Sequence, residues 1–469
     1  MSLRPYQERF VADLLAALRD LPAHNPWSLG CAHPCSVVGQ VATGGGKTHS
    51  AAELVRRALG GALPGVHSVA FWADLREITS DTVDRFRGAG LQVGVHAAGH
   101  PSTGAPVQVV QVQTATRRLK AGTAPPQADL LILDEAHICE GADLAAALRA
   151  AAPRYLVGLT ATPSRGDGKG LGRTFARLVQ GPQTGELQRQ GYLVPCDVIA
   201  PGGLVVGNRL AMDPVRAVAN FATHPSARVL VFCADRMAAP TAAAFTAAGY
   251  AAEVLAADTH PKVRATQRAR LTAGELQVLC TVDCAVKGWD CPAVDTVALA
   301  RGVGVPGAYL QMIGRALRPS PSTGKQRATI IDLKGTVWLH GLPEEERRWS
   351  LGGEAVAVVQ DLATRYSACV WCAWLGPARP AFSPCPRCAQ PLGKPAVPPS
   401  VAKAQKLARV AAMTPEQRRR HYEQGLRAQL QRRAGVVPVH RRTAWIDEKV
   451  SAAMQRFDAG RAPVEEGSK

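Results

Sequence analysis

The sequence predicts an α/β protein with two consecutive parallel-sheet domains, and three observations lead to this fold class. Short apolar runs bounded by Gly, Pro or Asp alternate with helical patterns over residues 37–160, as in a parallel sheet covered by helices. The same rhythm restarts near residue 196 and continues to residue 350. A length of 469 residues also exceeds what one ordinary hydrophobic core accommodates. We therefore expect domains at residues 1–195 and 196–350.

The C-terminal part of the chain has a different composition. Residues 351–400 hold paired cysteines and many prolines, which indicates a small metal-binding module. Residues 401–469 carry 15 Lys and Arg residues against 7 Asp and Glu residues, and we expect a basic tail that is helical or partly disordered. Its charge fits nucleic-acid binding and a solvated helical appendage about equally.

The overall charge narrows the range of partners. The chain has 55 Lys and Arg residues against 37 Asp and Glu residues, and its formal net charge of +18 indicates a polyanionic partner such as nucleic acid. No stretch approaches the roughly 20 apolar residues that a membrane span requires, and the N-terminus lacks the features of a signal peptide. We expect a cytoplasmic protein without a membrane partner, in which cysteines are free thiols or metal ligands.

The stretch ATGGGKT at residues 42–48 is typical of a phosphate-binding loop. It follows an apolar run and precedes a helical pattern, so its backbone N–H groups would surround phosphates at a helix N-terminus. Lys47 is predicted to reach the β- and γ-phosphates of ATP, and Thr48 to help hold Mg²⁺. Val41 occupies a position where the general pattern has Gly, so a Gly-rich turn is the alternative. The predicted loop residues are Thr43, Gly44, Gly45, Gly46, Lys47 and Thr48.

The stretch LLILDEAH at residues 130–137 reads as a buried strand that ends in two acids. Asp134 is predicted to help hold Mg²⁺, and Glu135 to orient or deprotonate the attacking water. Both motifs together favour an ATP-hydrolysing site over a chance pair of acids at a strand end.

Four motifs in order resemble those of superfamily 2 helicases: GGGKT, DEAH, TAT at 160–162 and QMIGRALR at 311–318. Within that superfamily the chain is most similar to DEAH-containing (DEAD/DEAH box) DNA helicases of bacteria and phages. The resemblance covers residues 3–340. It implies two tandem RecA-like domains, the first an ATP-binding domain and the second a helicase C-terminal domain. It also implies Mg²⁺- and ATP-dependent action on nucleic acid, with DNA favoured over RNA.

The resemblance also assigns roles to individual residues. Arg315 and Arg318 would enter from the second domain as arginine fingers, because a guanidinium supplies a fixed fork of donors to the charge on the transferred phosphate. The other residues implied to contact nucleotide are Gln7, Gly288, Asp290 and Gln311, and those implied to couple the ATP and strand sites are Thr160 and Thr162. Residues implied to touch the phosphodiester backbone are Arg76, Gln113, Thr114 and Thr281. The neighbouring Arg117 and Arg118 fit a solvated helix face equally well.

Two CxxC pairs predict a second site. Cys369 and Cys372 are separated by 12 residues from Cys385 and Cys388, and two such pairs can present four thiolates to one tetrahedral Zn²⁺. Free thiols or a redox pair are the alternatives. We expect a zinc ribbon that follows the second domain.

Three functional hypotheses follow. The leading one is a nucleic-acid helicase or translocase that couples Mg-ATP hydrolysis to movement along a strand or to unwinding. A motor subunit of a restriction or defence assembly, without strand separation, is the second, and it requires a partner nuclease. A nucleic-acid-binding adaptor with a switch-like ATPase is the third, and the combination of Lys47, Glu135, Arg315 and Arg318 argues against it. Replication, repair or defence proteins are the expected protein partners.

Overall fold

The structure is a computed structural model, and the residues it describes are 3–21, 33–73, 76–97, 104–139, 141–165, 169–202, 205, 209–282, 289–352, 366–393, 423, 427, 430 and 442–458. The chain divides into two compact units, Met1–Pro398 and Pro399–Lys469. No helix in these described ranges has both the length and the apolar character that crossing a membrane requires.

The first sheet contains seven parallel strands in the order β3-β4-β2-β5-β6-β1-β7. Its strands are β1 His33–Gln40, β2 Val69–Ala73, β3 Val93–His96, β4 Val107–Gln111, β5 Leu130–Asp134, β6 Tyr155–Thr160 and β7 Phe175–Gln180. Its α-helices are α1 Pro5–Arg19, α2 Lys47–Arg57, α3 Arg76–Gly88, α4 Val112–Lys120, α5 Ala142–Ala151 and α6 Thr184–Arg189. A π-helical turn at Ala58–Ala62 and a 3₁₀ turn at Ala136–Ile138 complete this part, called the first lobe below.

Strand β5 shows why this sheet forms from apolar runs. Leu130 and Ile132 belong to one core, whereas Leu131 and Leu133 belong to the core on the opposite face. Alternate side chains of a strand point to opposite faces, so a strand covered on both sides must be apolar throughout. The continuous run LLIL therefore places the acids that follow it at the carboxyl edge of the sheet.

The second sheet contains eight strands in the order β10-β11-β9-β12-β13-β8-β15-β14. Its strands are β8 Cys196–Ile199, β9 Val229–Cys233, β10 Ala252–Leu255, β11 Val278–Thr281, β12 Thr296–Ala300, β13 Ala328–Asp332, β14 Tyr366–Ala368 and β15 Trp374–Pro377. Its helices are α7 Pro214–Phe221, α8 Ala238–Ala247, α9 Pro261–Ala273, α10 Pro306–Ile313, α11 Val337–His340 and a 3₁₀ turn at Pro321–Thr323. Strands β8 to β13 are parallel, and we call this part the second lobe. The predicted α/β class with two tandem parallel sheets is confirmed.

The cysteine-bearing hairpin β14–β15 extends the second sheet. It pairs antiparallel with β8, with Trp374 opposite Ile199 and Leu375 opposite Val198. Arg387 donates a hydrogen bond to the carbonyl oxygen of Phe221 at 2.8 Å. The hairpin is thus built onto an edge of the second lobe, while the predicted domain boundaries at residues 195, 350 and 400 stay predictions.

Residues 341–352, called the brace, return from the second lobe to the first. The Gln183 side chain donates to the Arg347 carbonyl oxygen and accepts from the Arg347 backbone N–H, each at 2.8 Å. Gln180 donates to the Trp349 carbonyl oxygen at 3.2 Å. Arg347 is 3% exposed, and its guanidinium donates within 3.5 Å to the carbonyl oxygens of His340, Leu342, Pro343 and Glu345. The brace is therefore folded around one buried cation and connects the lobes a second time.

The second unit contains the helix α12 Arg442–Asp458. Ile446, Val450 and Met454 are buried along one stripe of this helix, against Leu430. Arg427 donates to the side chains of Glu423 and Asp447. The predicted helical character of the tail is thus present in this described part, while its predicted binding of nucleic acid stays a prediction.

We expect Arg347→Met to destabilise the brace, because buried carbonyl groups that lose their donors cost about 1–3 kcal/mol each. Thermal unfolding should begin several degrees lower, and limited proteolysis should cut within residues 341–352. The neighbouring exposed residue provides a matched control, since Arg348→Met removes the same charge and should leave both measurements unchanged. Equal melting curves for the two variants would show that the guanidinium does not hold the brace.

Candidate active site

The predicted phosphate loop connects β1 to α2, as a strand, loop and helix. Gly44 and Gly46 have positive φ angles of 85° and 78°, which glycine adopts without strain. A Cβ atom on Gly45 would lie 2.4 Å from Val41 Cγ1, so this position also requires glycine. Helix α2 begins at Lys47, and the positive end of its dipole therefore lies at the loop. The loop has the backbone form that phosphate binding needs.

The loop lysine faces the two acids at the end of β5. Lys47 Nζ donates to Glu135 Oε1 at 2.9 Å, and His137 Nδ1 lies 3.4 Å from both Glu135 Oε2 and Thr160 Oγ1. Glu135 has a φ of 48°, an uncommon left-handed conformation for a glutamate and one that occurs at functional sites. The fold thus brings four residues from three motifs into one group of polar contacts.

Burial and charge move the pKa values of the adjacent acids in opposite directions. Burial, reinforced by the negative charge of Glu135, raises the pKa of Asp134 to about 6. Burial alone would raise the pKa of Glu135 as well, but the positive charge of Lys47 and the contact with His137 outweigh it and lower that pKa. Glu135 therefore stays ionised, and the buried Asp134 is a carboxylate that a bound cation would stabilise.

A cleft with a volume of about 700 Å³ lies between the lobes, within the range of pockets that hold a small ligand. Residues of the first lobe that line it are Arg4, Gln7, Thr43, Gly44, Gly46, Lys47, Thr48, His49, Thr82, Arg85, Asp134 and Glu135. Tyr192 and the second-lobe residues Asp290, Pro292, Gln311, Arg315, Arg318 and Pro319 complete the lining. Most of the residues predicted to contact nucleotide thus share one cleft, while Gly288 lies outside the described residues.

Close approaches join the two walls of this cleft. A Cβ atom on Gly314 would lie 2.6 Å from Thr43 Cβ, and one on Gly307 would lie 2.8 Å from Thr162 Oγ1. The Thr160 hydroxyl accepts from the Thr162 N–H and donates to the Thr162 carbonyl oxygen, both at 3.1 Å. The segment predicted to couple ATP and strand sites therefore touches helix α10 of the opposite lobe.

The two predicted finger arginines are held by a loop of their own lobe. Arg318 forms an ion pair with Asp290, and Arg315 Nη1 donates to the Trp289 carbonyl oxygen at 2.6 Å. Burial, together with the nearby charge of Arg318, lowers the pKa of Arg315 to about 9. Within the described residues, Arg318 Nε and Thr43 Oγ1 are buried without a hydrogen-bond partner. Such orphaned donors on opposite walls fit a cleft that receives an anionic ligand.

Several cleft residues were not identified from the sequence. The Tyr6 hydroxyl donates to the Gly45 carbonyl oxygen at 2.9 Å, and the Arg4 guanidinium lies 4.6 Å from the centre of the Tyr192 ring. Gln7 accepts from the Arg4 backbone N–H at 3.0 Å and donates weakly to the Gly45 carbonyl oxygen at 3.4 Å. Gln7 thus contacts the loop itself, and its predicted place beside adenine stays a prediction. The sequence signal for them was that Arg4 and Tyr6 shortly precede Gln7 in LRPYQ.

Of the residues predicted to contact a strand, the described Gln113, Thr114 and Thr281 do not line the cleft. Gln113 is exposed on α4, whereas the Thr114 hydroxyl is buried and donates to Gln111 Oε1 at 2.9 Å. Thr281 ends β11 and is fully buried, so its hydroxyl has no access to a strand in this conformation. Arg76 begins α3, and its side chain lies outside the described ones. These strand contacts stay predictions.

The four predicted zinc ligands form a compact cluster. Their Sγ atoms all lie within 4.8 Å of one another, with Cys369 and Cys388 3.5 Å apart and Cys372 and Cys385 3.7 Å apart. Sulfur ligands about 2.3 Å from a tetrahedral zinc ion would be about 3.8 Å apart, whereas a disulfide bond is about 2.05 Å long. The cluster is therefore compatible with a zinc ribbon and does not contain disulfides.

Comparison with known families agrees with this site. Residues 1–165 match the family model described as "Type III restriction enzyme, res subunit", and residues 213–320 match "Helicase conserved C-terminal domain". The first match contains the phosphate loop and the acids of β5, and the second contains Asp290, Arg315 and Arg318. The chain carries a superfamily 2 helicase motor. Its two matched domains imply ATP hydrolysis by an ATP-dependent helicase or translocase.

Solved structures share the fold of this motor. The fragment structure of a proposed HsdR subunit of a type I restriction enzyme from Vibrio vulnificus YJ016 matches 76% of the chain at 20% identity, with a TM-score of 0.55. The ATP-dependent type ISP restriction-modification enzyme LlaBIII bound to DNA matches 71% of it at 15% identity, with a TM-score of 0.51. The chain spans 67% of the first structure and 28% of the second. No curated protein matches the chain.

We expect Lys47→Ala and Glu135→Gln both to abolish ATP turnover, but by different routes. The first removes the cation that meets the phosphates, so nucleotide affinity should fall by about tenfold or more. The second keeps the side-chain volume and removes only the carboxylate, so ATP should remain bound. A fluorescent ATP analogue measures both affinities, and equal losses in the two variants would contradict the separate roles.

Proposed function

We propose that this motor uses Mg-ATP to move along DNA or to separate its strands. The Lys47–Glu135 pair of the first lobe and the arginines of the second lobe line the same cleft, and this arrangement supports the proposal. Hydrolysis can then be made to depend on closure of the lobes, and closure moves whatever each lobe grips.

In the first lobe, phosphate binding would draw Lys47 away from Glu135. The released carboxylate would then orient the attacking water. Thr48 and Asp134 are the residues we expect to hold Mg²⁺, which when bound offsets the negative charge of the phosphates. The buried position of Asp134 fits this assignment, since a cation removes the cost of ionising it.

In the second lobe, Arg318 would exchange one anionic partner for another. It is paired with Asp290 in the structure, and the γ-phosphate offers a more highly charged acceptor. Arg315 is buried beside it, so the two arginines would act as fingers, and the lobes must be closed for both to reach the phosphate. Thr162 contacts α10 and Thr160 is bonded to Thr162, so this pair would transmit the closure to the strand site.

The substrate assignment rests on charge and on similarity. A net charge of +18 favours a polyanion, and LlaBIII, which shares the fold, is described as bound to DNA. A restriction or defence motor that translocates on duplex without separating strands is the second candidate. It is supported by the family match of residues 1–165 to a restriction-enzyme subunit.

We propose that the cysteine cluster binds one Zn²⁺ and that the ribbon around it, residues 366–393, grips the strand. Its sequence contains Arg379 and Arg387 but no Asp or Glu. Trp371, between two of the cysteines, is 69% exposed, and Phe382 is 78% exposed. Exposed aromatic rings in a segment that also carries guanidinium groups suit stacking on unpaired bases. We further propose a cytoplasmic location and replication, repair or defence proteins as partners.

The test of the substrate is the ATPase rate without nucleic acid and with single-stranded DNA, duplex DNA, forked DNA or RNA. We expect DNA to stimulate the rate more than RNA does, and forked DNA to be unwound. Stimulation by duplex DNA without unwinding would favour the restriction-type motor. No stimulation by any nucleic acid would contradict both candidates.

Removal of zinc should weaken DNA binding and leave ATP hydrolysis in the absence of DNA intact. A segment of this size buries too little apolar surface to fold unaided, so metal ligation should supply most of its folding free energy. We expect the double change Cys385→Ser and Cys388→Ser to release zinc and weaken DNA binding, while the ATPase rate without DNA persists.

Metal analysis of the purified protein provides the first measurement, with one zinc ion per chain expected. The matched control is the double change of the buried Cys233 and Cys280 to Ala, which lie outside the cluster and should leave the zinc content unchanged. Protein purified without chelators and found free of zinc would refute the metal assignment.

A further inference from the structure

A lysine outside every recognised motif is bonded to the wall of the cleft. Lys325 follows the turn at Pro321–Thr323 and forms a β-bridge with Ser320. Its Nζ donates to the carbonyl oxygens of Pro292 at 2.6 Å, Val294 at 2.7 Å and Ala316 at 3.0 Å. An ammonium group has three donors, and each of them meets a backbone acceptor here.

These three carbonyl groups belong to the two segments that present the finger arginines. Pro292 and Val294 follow Asp290, the ion-pair partner of Arg318, and Pro292 itself lines the cleft. Ala316 stands between Arg315 and Arg318 in sequence. The Lys325 ammonium therefore connects the loop of Pro292 and Val294, which holds the arginines, to the segment around Ala316, which carries them. Neither segment can shift without losing a hydrogen bond to Lys325.

We propose that Lys325 is a positioning residue for ATP hydrolysis, which holds Arg315 and Arg318 at the distance from the phosphate loop that the reaction needs. This inference rests on the proposed finger role of the two arginines. Lys325 does not line the cleft, so it acts through the backbone that it fixes. A displacement of about 1 Å in a positioning group can cost about a hundredfold in rate, so a modest shift of this turn matters.

The surroundings of Lys325 make the effect dependent on pH. Burial is the main cause that lowers the pKa of Lys325 to about 8, and the charged or titratable groups that face it are Asp295, Cys291, Arg318 and Asp290. As pH rises through about 8 the ammonium loses a proton, and one carbonyl then faces a lone pair instead of a donor. Turnover should therefore fall on the alkaline side.

The stability of the fold should not fall in the same window. The unfolded chain keeps this proton up to the ordinary lysine pKa of 10.5, whereas the folded chain releases it near 8. Between these pH values the unfolded state binds more protons. The contribution of this group to the free energy of unfolding therefore rises with pH, and the folded state becomes more stable. A loss of activity at alkaline pH without a loss of stability would distinguish positioning of the arginines by Lys325 from simple support of the fold.

The experiment compares Lys325→Met and Lys325→Arg with two reference variants. Arg318→Ala tests the finger role itself. Arg327→Met removes a positive charge two residues away, from an exposed side chain that pairs with Asp197 at 3.0 Å outside the cleft. Steady-state ATPase rates are measured from pH 7 to pH 8.5, below the pKa of about 9 to which burial lowers Arg315. The KM for ATP and thermal unfolding are measured for each variant as well.

We expect Lys325→Met to lower kcat by about tenfold or more while the KM for ATP changes less than about threefold. Lys325→Arg should keep most of the activity at pH 7 and lose the fall near pH 8, because a guanidinium does not titrate there. Arg327→Met should match the wild type throughout.

Wild-type turnover by Lys325→Met, or an alkaline fall that is unchanged in Lys325→Arg, would overturn the proposal. If Lys325→Met does not fold, the dependence of turnover on alkaline pH in Lys325→Arg is enough to test the proposal. Near-normal hydrolysis by Arg318→Ala would instead overturn the finger role on which the inference rests. A loss in Arg318→Ala combined with normal Lys325 variants would overturn the inference alone.

Discussion

Two neighbouring acids at the end of β5 constrain the rest of the site. Asp134 and Glu135 are adjacent and enclosed, and two like charges in such a place are costly unless a cation stands beside them. Lys47 supplies that cation from α2. Its helix must begin at the carboxyl edge of the sheet, and only a loop of glycines can turn tightly enough there. The Lys47–Glu135 ion pair and the phosphate loop therefore depend on each other.

The second lobe meets this arrangement with cations that are already partnered. Asp290 and the Trp289 carbonyl oxygen hold the arginines within their own lobe, and Lys325 fixes the backbone behind them. The arginines can then reach a phosphate only by exchanging partners, which makes nucleotide a competitor for existing contacts. The brace and the chain through Tyr192 both cross between the lobes, so the lobes are joined on either side of α6. This connection favours a hinge motion over free separation.

Much of the fold could be predicted because its strands are buried on both faces. A run such as LLIL in β5 has no polar alternation, and that is the mark of a covered parallel strand. The loop glycines and the acids could also be predicted, since phosphate and metal binding restrict the residue types at those positions. The brace was not, because Arg347 and Gln183 lie 164 residues apart and no local pattern pairs them. Lys325 resembled a surface lysine, and docking of the ribbon onto β8 depends on which sheet edge is left open.

We propose that ATP is hydrolysed between the lobes by groups from both. The most direct test of this proposal is a crystal structure of the protein with ADP, Mg²⁺ and aluminium fluoride, which imitates the transferred phosphate. We expect Arg315 and Arg318 both to contact the fluoride group, the Arg318–Asp290 ion pair to be broken, and Glu135 to have left Lys47 for the attacking water. A structure in which Arg318 stays on Asp290, while only first-lobe residues contact the fluoride, would contradict the proposal.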